Sequence, residues 1–213
     1  MSKPLSDIRR PEIIQAAVKA ISENGLPMPS YDLIAQQAGM SRQLLRHYFP
    51  EPETLMVAVC EALASAHRTL LLRGIHQINS TQRLPLFLDY YFNLLTKEGL
   101  AKPADTAAYD AVMSLATGSK AVRETLRGHY NILQHTIAQE VQISHPTLNQ
   151  KACAEIGFLF SSLIQGHWKL VATLGFSDSY NRVTREAIDR LIQSYKDRYD
   201  DPDLAEPTLR KSS

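Results

Sequence analysis

Apolar residues recur three and four positions apart along most of the chain, and no period-two run with β-branched enrichment appears. The sequence therefore predicts an all-α fold. Ile13, Ile14, Ala17, Val18 and Ile21 mark the first stripe, Pro11 suits an early turn and Asn24-Gly25 supplies a stop, which places a helix over about residues 10–23. Ser30 is positioned to cap a short helix at about 31–38 that carries Leu33, Ile34 and Ala38 and closes at Gly39, a residue free to turn left-handed. Ser41 caps a third short helix ending near Tyr48; Pro50 and Pro52 break the chain again, with Pro52 suited to open a fourth. That fourth helix, to about Asn79, has Leu55, Val59, Leu63, Leu70 and Leu71 along one stripe. Further helices are expected at about 84–97 (opened by Pro85), 104–117, 119–142, 148–174 and 179–199, nine in all. The expected organisation is an N-terminal three-helix domain over residues 1–52, a larger helical bundle over 53–200, and a tail at 201–213 whose two prolines and few large apolar residues predict disorder.

Composition changes this picture little. With 44% hydrophobic and 21% charged residues, the chain reads as a packed globular protein. A net charge of +1 carries no nucleic-acid signal. Residues 1–50 hold six Lys and Arg against four Asp and Glu, a net +2 that leaves −1 for the remainder, so the basic bias is slight. Cys60 and Cys153 stand in apolar helical stretches and in no metal-ligand spacing, which predicts buried free thiols. The N-terminus has no apolar leader and no segment offers about 18 uninterrupted apolar residues, so a cytoplasmic protein with no membrane partner is expected. There is no Gly-rich phosphate loop, no G-x-S-x-G, no H-E-x-x-H and no clustered carboxylate pair in a recognisable context. An enzyme, a cofactor and a metal site are not expected.

The segment SYDLIAQQAGMSRQLLRHYF, Ser30 to Phe49, is two short helices joined by a tight Gly turn, the pattern of a helix-turn-helix. At about 100° per residue, Leu45 and Phe49 of the third helix point together towards the first two helices. Gln43 and His47 lie farthest from that apolar axis, with Arg42 and Arg46 on one flank and Leu44 and Tyr48 on the other. These residue types suit DNA: Arg pairs with guanine or grips phosphate, Gln suits adenine, and Leu can touch a thymine methyl. Ser30, Tyr31 and Ser41, at the two helix starts, complete the candidate contacts, and Arg9 and Arg10 offer further phosphate grips. The implied partner is double-stranded DNA, read in the major groove.

From Arg9 to Leu55 the chain resembles the N-terminal domain of the tetracycline-repressor (TetR) family. The resemblance rests on Ile34-Ala35, Ala38-Gly39, Met40-Ser41, Leu45, the His47-Tyr48-Phe49-Pro50 block, Glu53 and Leu55. It covers about the first quarter of the chain. Three positions depart from the family pattern: Gln43 and Leu44 replace small residues or Thr, Arg46 replaces a Tyr, and Pro52 stands where a phosphate-gripping Lys is usual. The resemblance implies a homodimer joined through the helices at 148–174 and 179–199, with Leu159, Leu163, Leu170, Ile188, Leu191 and Ile192 available to the interface. It also implies a small-molecule effector that relieves repression. Tyr90, Tyr91, Tyr109, Met113, His129 and Trp168 are the candidate ligand contacts, since they supply aromatic and polar groups of the kind that line pockets. Within the family, the N-terminal sequence is similar to regulators of choline metabolism. Two other readings are compatible with the residues: a degenerate helix-turn-helix serving protein interaction, and a helical cofactor enzyme.

Overall fold

The computed structural model describes residues 5–25, 28–75, 82–96 and 105–200. Among them are nine α-helices and no strand: α1 Leu5–Asn24, α2 Tyr31–Gln37, α3 Arg42–Tyr48, α4 Pro52–Ile75, α5 Arg83–Tyr91, α6 Thr106–Leu115, α7 Lys120–Ser144, α8 Gln150–Trp168 and α9 Ser179–Asp200. A π-helical turn, Lys169–Thr173, follows α8. The fold is all-α, as the periodicity predicts. None of these helices is long and apolar enough to cross a membrane. The tail at 201–213 lies outside the described residues.

Several helix ends differ from the sequence expectation, for identifiable reasons. α1 begins about a turn and a half earlier, so Pro11 sits inside it. Proline has no N–H to return to the preceding turn; an Arg9–Glu12 ion pair at 2.7 Å spans the position. α5 ends at Tyr91 because Asn93 adopts the left-handed conformation (φ 56°). The Leu94 N–H then reaches Asp89 O at 2.9 Å and the Asn93 N–H reaches Tyr90 O at 3.0 Å. This is the paired closure of a Schellman motif, with Asn in the place Gly usually takes.

The chain divides into two compact units, Met1–Arg73 with Lys102–Tyr130 and Gly74–Ala101 with Asn131–Ser213. In the first unit, α1 packs against α2, α3 and α6. Its core includes Ile13, Ala17, Ile21, Ile34, Leu45, Phe49, Leu55 and Val59, with Ala108, Val112 and Val122 from the later segment. The second unit is centred on Phe87, Leu88, Ile137, Ile156, Phe160 and Ile188, all buried, with α8 packed on α9. Gly157 allows one close approach there: a Cβ built on it would lie 2.5 Å from the Gln134 carbonyl oxygen of α7. Cys60 and Cys153 are buried free thiols. Burial pushes the Cys60 thiol up to about 11.

Candidate nucleic-acid interface

α2 and α3 are short, and each is started by a serine. The Ser30 hydroxyl accepts the Leu33 N–H at 3.3 Å and the Ser41 hydroxyl accepts the Leu44 N–H at 3.2 Å. Each cap satisfies one of the donors a helix start leaves unpaired. The turn between them is set by Gly39 at φ +64°, a conformation a side chain would strain. Leu45 and Phe49 are fully buried and hold α3 down on α1 and α2. Two such side chains contribute about 1.5–3 kcal/mol each.

That anchoring decides what α3 presents outward. Arg42, Gln43, Leu44, Arg46 and His47 are exposed, and Tyr48 is half-buried with its ring edge-on to His47. Arg42 donates to Asp32 of α2 at 3.0 Å, with both side chains at least half exposed. A pair this open to water is worth about 0–1 kcal/mol, so a phosphate can displace the carboxylate. Arg46 has no ion-pair partner among the described residues. A cleft of about 440 Å³ along this flank is lined by Arg42, Arg46, Tyr31, Met56 and Val122 among others, leaving both guanidiniums room to move.

Three candidates are engaged within the head itself. The Tyr31 hydroxyl donates to Phe49 O at 3.0 Å, and its pKa is raised, by burial first and then by the Glu51 charge, against the opposing Arg46. Arg10 donates to Tyr48 O at 3.0 Å and lies 4.3 Å above the Phe49 ring. Arg9 is paired with Glu12. Tyr31 and Arg10 thus clamp the two carbonyls at the end of α3. At the start of α4, Glu53 accepts a hydrogen bond from Ser119, whose hydroxyl also caps α7 by accepting the Val122 N–H at 3.1 Å.

The six candidate ligand residues divide between the units. Tyr90, Tyr91 and Trp168 are buried in the second unit, where Tyr91 stacks on Trp168 (centroids 6.1 Å, planes 27° apart) and the Trp168 indole N–H donates to Tyr91 O at 3.0 Å. Tyr109, Met113 and His129 are half-buried in the first. Sequence reasoning missed two neighbours of Tyr109: His67, which stands four residues after Leu63 in the apolar stripe of α4, and Asp105. A histidine at a stripe position was the available signal. Ile188 and Ile192, expected at an interface between copies, are buried inside the second unit. Leu163 and Leu170 are exposed, together with Phe158, Leu174, Phe176 and Val183.

A polar, cationic face on a serine-capped helix, held by a buried apolar pair in an all-helical chain, is the arrangement of a helix-turn-helix. No family model matches the chain. An "HTH-type transcriptional regulator BetI" of Escherichia coli is 25% identical over 174 residues, covering 80% of this chain and 86% of that relative. A TetR transcription regulator from Haloarcula marismortui superposes with a TM-score of 0.71 at 17% identity, over 89% of this chain and 98% of that one. A transcriptional regulator from Saccharomonospora viridis, solved in complex with choline, superposes with a TM-score of 0.69 at 18% identity, over 88% and 96% of the two chains. The chain is thus similar over most of its length to a curated helix-turn-helix transcriptional regulator and shares its fold with solved TetR-family regulators.

Proposed function

We propose that the protein is a repressor that binds an operator as a homodimer and is released by a small molecule. Residues 1–52 read DNA, and residues 53–200 sense the effector and join the two copies. The exposed face of α3 carries this reading: Gln43 and His47 at its centre, Arg42 and Arg46 on its flank, all raised on a helix whose opposite side is fully buried. Gln43 reads a base edge in the major groove, and Arg42 and Arg46 read guanine or hold phosphate. Ser30, Tyr31, Ser41 and Tyr48 sit where a DNA backbone passes the ends of α2 and α3. Joined copies would present two recognition helices to half-sites about 34–36 Å apart or a related spacing. The exposed apolar side chains Phe158, Leu163, Leu170 and Val183 on α8, its π-helical turn and α9 supply the joining face.

The test is selection of DNA by the purified protein, followed by salt titration of variants. Gln43→Ala should cost about 1–3 kcal/mol on the selected site and relax preference at one base position. Arg46→Ala should change the selected site if the guanidinium reads guanine, or lower the salt slope by about 1 if it holds phosphate. Parent-like binding by both variants would show that α3 is not the reader.

A further inference from the structure

Asp105 occupies the N-cap position of α6 (φ −120°, ψ 14°) yet makes no capping hydrogen bond. Ser30, Ser41 and Asn149, at the same position of α2, α3 and α8, each accept a backbone N–H. The Asp105 side chain instead lies in the interior of the first unit, only 6% of the residue being exposed. Its Oδ2 is 3.5 Å from Nε2 of His67 on α4, beyond the usual N–H···O range of about 2.7–3.2 Å. Its Oδ1 has no hydrogen-bond partner among the described residues. A carboxylate offers about four acceptor sites, and burying one with so few donors is costly unless something completes the set. Giving up a helix cap for this position adds to the cost, and the His67 contact at 3.5 Å offsets it only in part.

The surroundings fit a cation. The His67 ring stands edge-on to Tyr109, with centroids 5.5 Å apart and planes at 67°. Tyr109 and Met113 of α6 are half-buried and pack against the core of the first unit, each with part of its side chain still accessible. His129 of α7 is half-buried, its Nδ1 has no hydrogen-bond partner among the described residues, and burial foremost pushes its pKa down. An oxygen that lacks a donor calls for a ligand N–H, and a protonated amine supplies both that donor and the opposite charge. Aromatic rings favour the same cation.

We propose that Asp105 anchors an effector site for a small protonated amine, with the N–H bonded to Oδ1, the His67 and Tyr109 rings alongside and Met113 as an apolar wall. This rests on the ligand-released repressor reading, whose effector class it names. The test uses the full-length protein with ethanolamine, butylamine and putrescine as probes and choline as a cation without an N–H, read by calorimetry and thermal melting. At least one amine should bind, more tightly than choline, and Asp105→Asn should weaken it tenfold or more. Without ligand, Asp105→Asn should melt at or above the parent's temperature, because an under-bonded buried charge is gone. Asp105→Ser, which restores an ordinary helix cap, should fold and also lose amine binding.

Binding by none of the three amines, tighter binding of choline, unchanged binding by Asp105→Asn, or a melting temperature several degrees lower in that variant would overturn the proposal. The last result would make the His67–Asp105 contact a structural pair. Amine binding without any selected operator would sink the repressor reading and leave this site standing. Operator binding with no amine response would do the reverse.

Discussion

Arg10 separates a structural role from a DNA-contacting one, and Arg10→Ala tests which it has. The side chain makes two contacts in the head: a hydrogen bond to Tyr48 O at 3.0 Å and a position 4.3 Å over the Phe49 ring. At an exposed site the cation–π contact contributes about 0.5–1 kcal/mol. The hydrogen bond adds about 0.5–1 kcal/mol, the lower part of its range because water competes for both partners. Together the loss should be about 1–2 kcal/mol, and at about 2–4 °C per kcal/mol for a chain of this size the melting temperature should drop by several degrees. Of the two side-chain hydrogen bonds that clamp the end of α3, the Tyr31 hydroxyl on Phe49 O alone would remain, so DNA affinity should fall alike for every sequence. The salt dependence should stay unchanged, since no phosphate contact is lost. Thermal melts and DNA titrations at several salt concentrations provide the readout. A variant as stable as the parent, with a salt slope reduced by about 1, would refute the clamp and make Arg10 a phosphate grip.

Phe158, 58% exposed on α8, should lie in the joining face, so Phe158→Asp should convert a dimer into a folded monomer by light scattering and sharply reduce operator affinity. A dimer of unchanged stability would place the interface elsewhere. Gly157→Ala should destabilise the protein by about 1–3 kcal/mol, because the new Cβ meets a backbone oxygen of α7 that cannot swing aside. Gly128→Ala, with nothing within 4 Å of the added Cβ, should instead raise stability by up to about 1 kcal/mol. Equal denaturation midpoints for the two variants would remove the close helix approach as an explanation.

Sequence alone determined the features that depend on neighbours within one or two turns. The serine caps at Ser30 and Ser41, the left-handed Gly39 and the inward pair Leu45 and Phe49 follow from residue type and helical spacing, and they fix Gln43 and His47 on the outer face of α3. Local patterning failed where one residue's chemistry overrode the period, as at Asn93, whose left-handed cap stops α5 although Phe92, Leu94 and Leu95 continue the apolar run. Tertiary structure decided everything set by partners far apart in the chain. Arg9 and Arg10 looked like free cations until Glu12, Tyr48 and Phe49 were placed beside them, and Tyr31 was seen to hold the end of a helix 18 residues on. Ile188 and Ile192 carry the same helical spacing whether their stripe faces the interior or another copy, and only the packing of α9 within its unit turned them inward. The aromatic candidates could not be sorted by spacing either, since a core and a pocket use the same residues: Tyr91 and Trp168 stack in one unit, and Tyr109 meets His67 in the other. Asp105 is the furthest case, because an aspartate ahead of a helix reads as a cap. Only the folded chain shows its carboxylate turned away from the helix start and left short of donors.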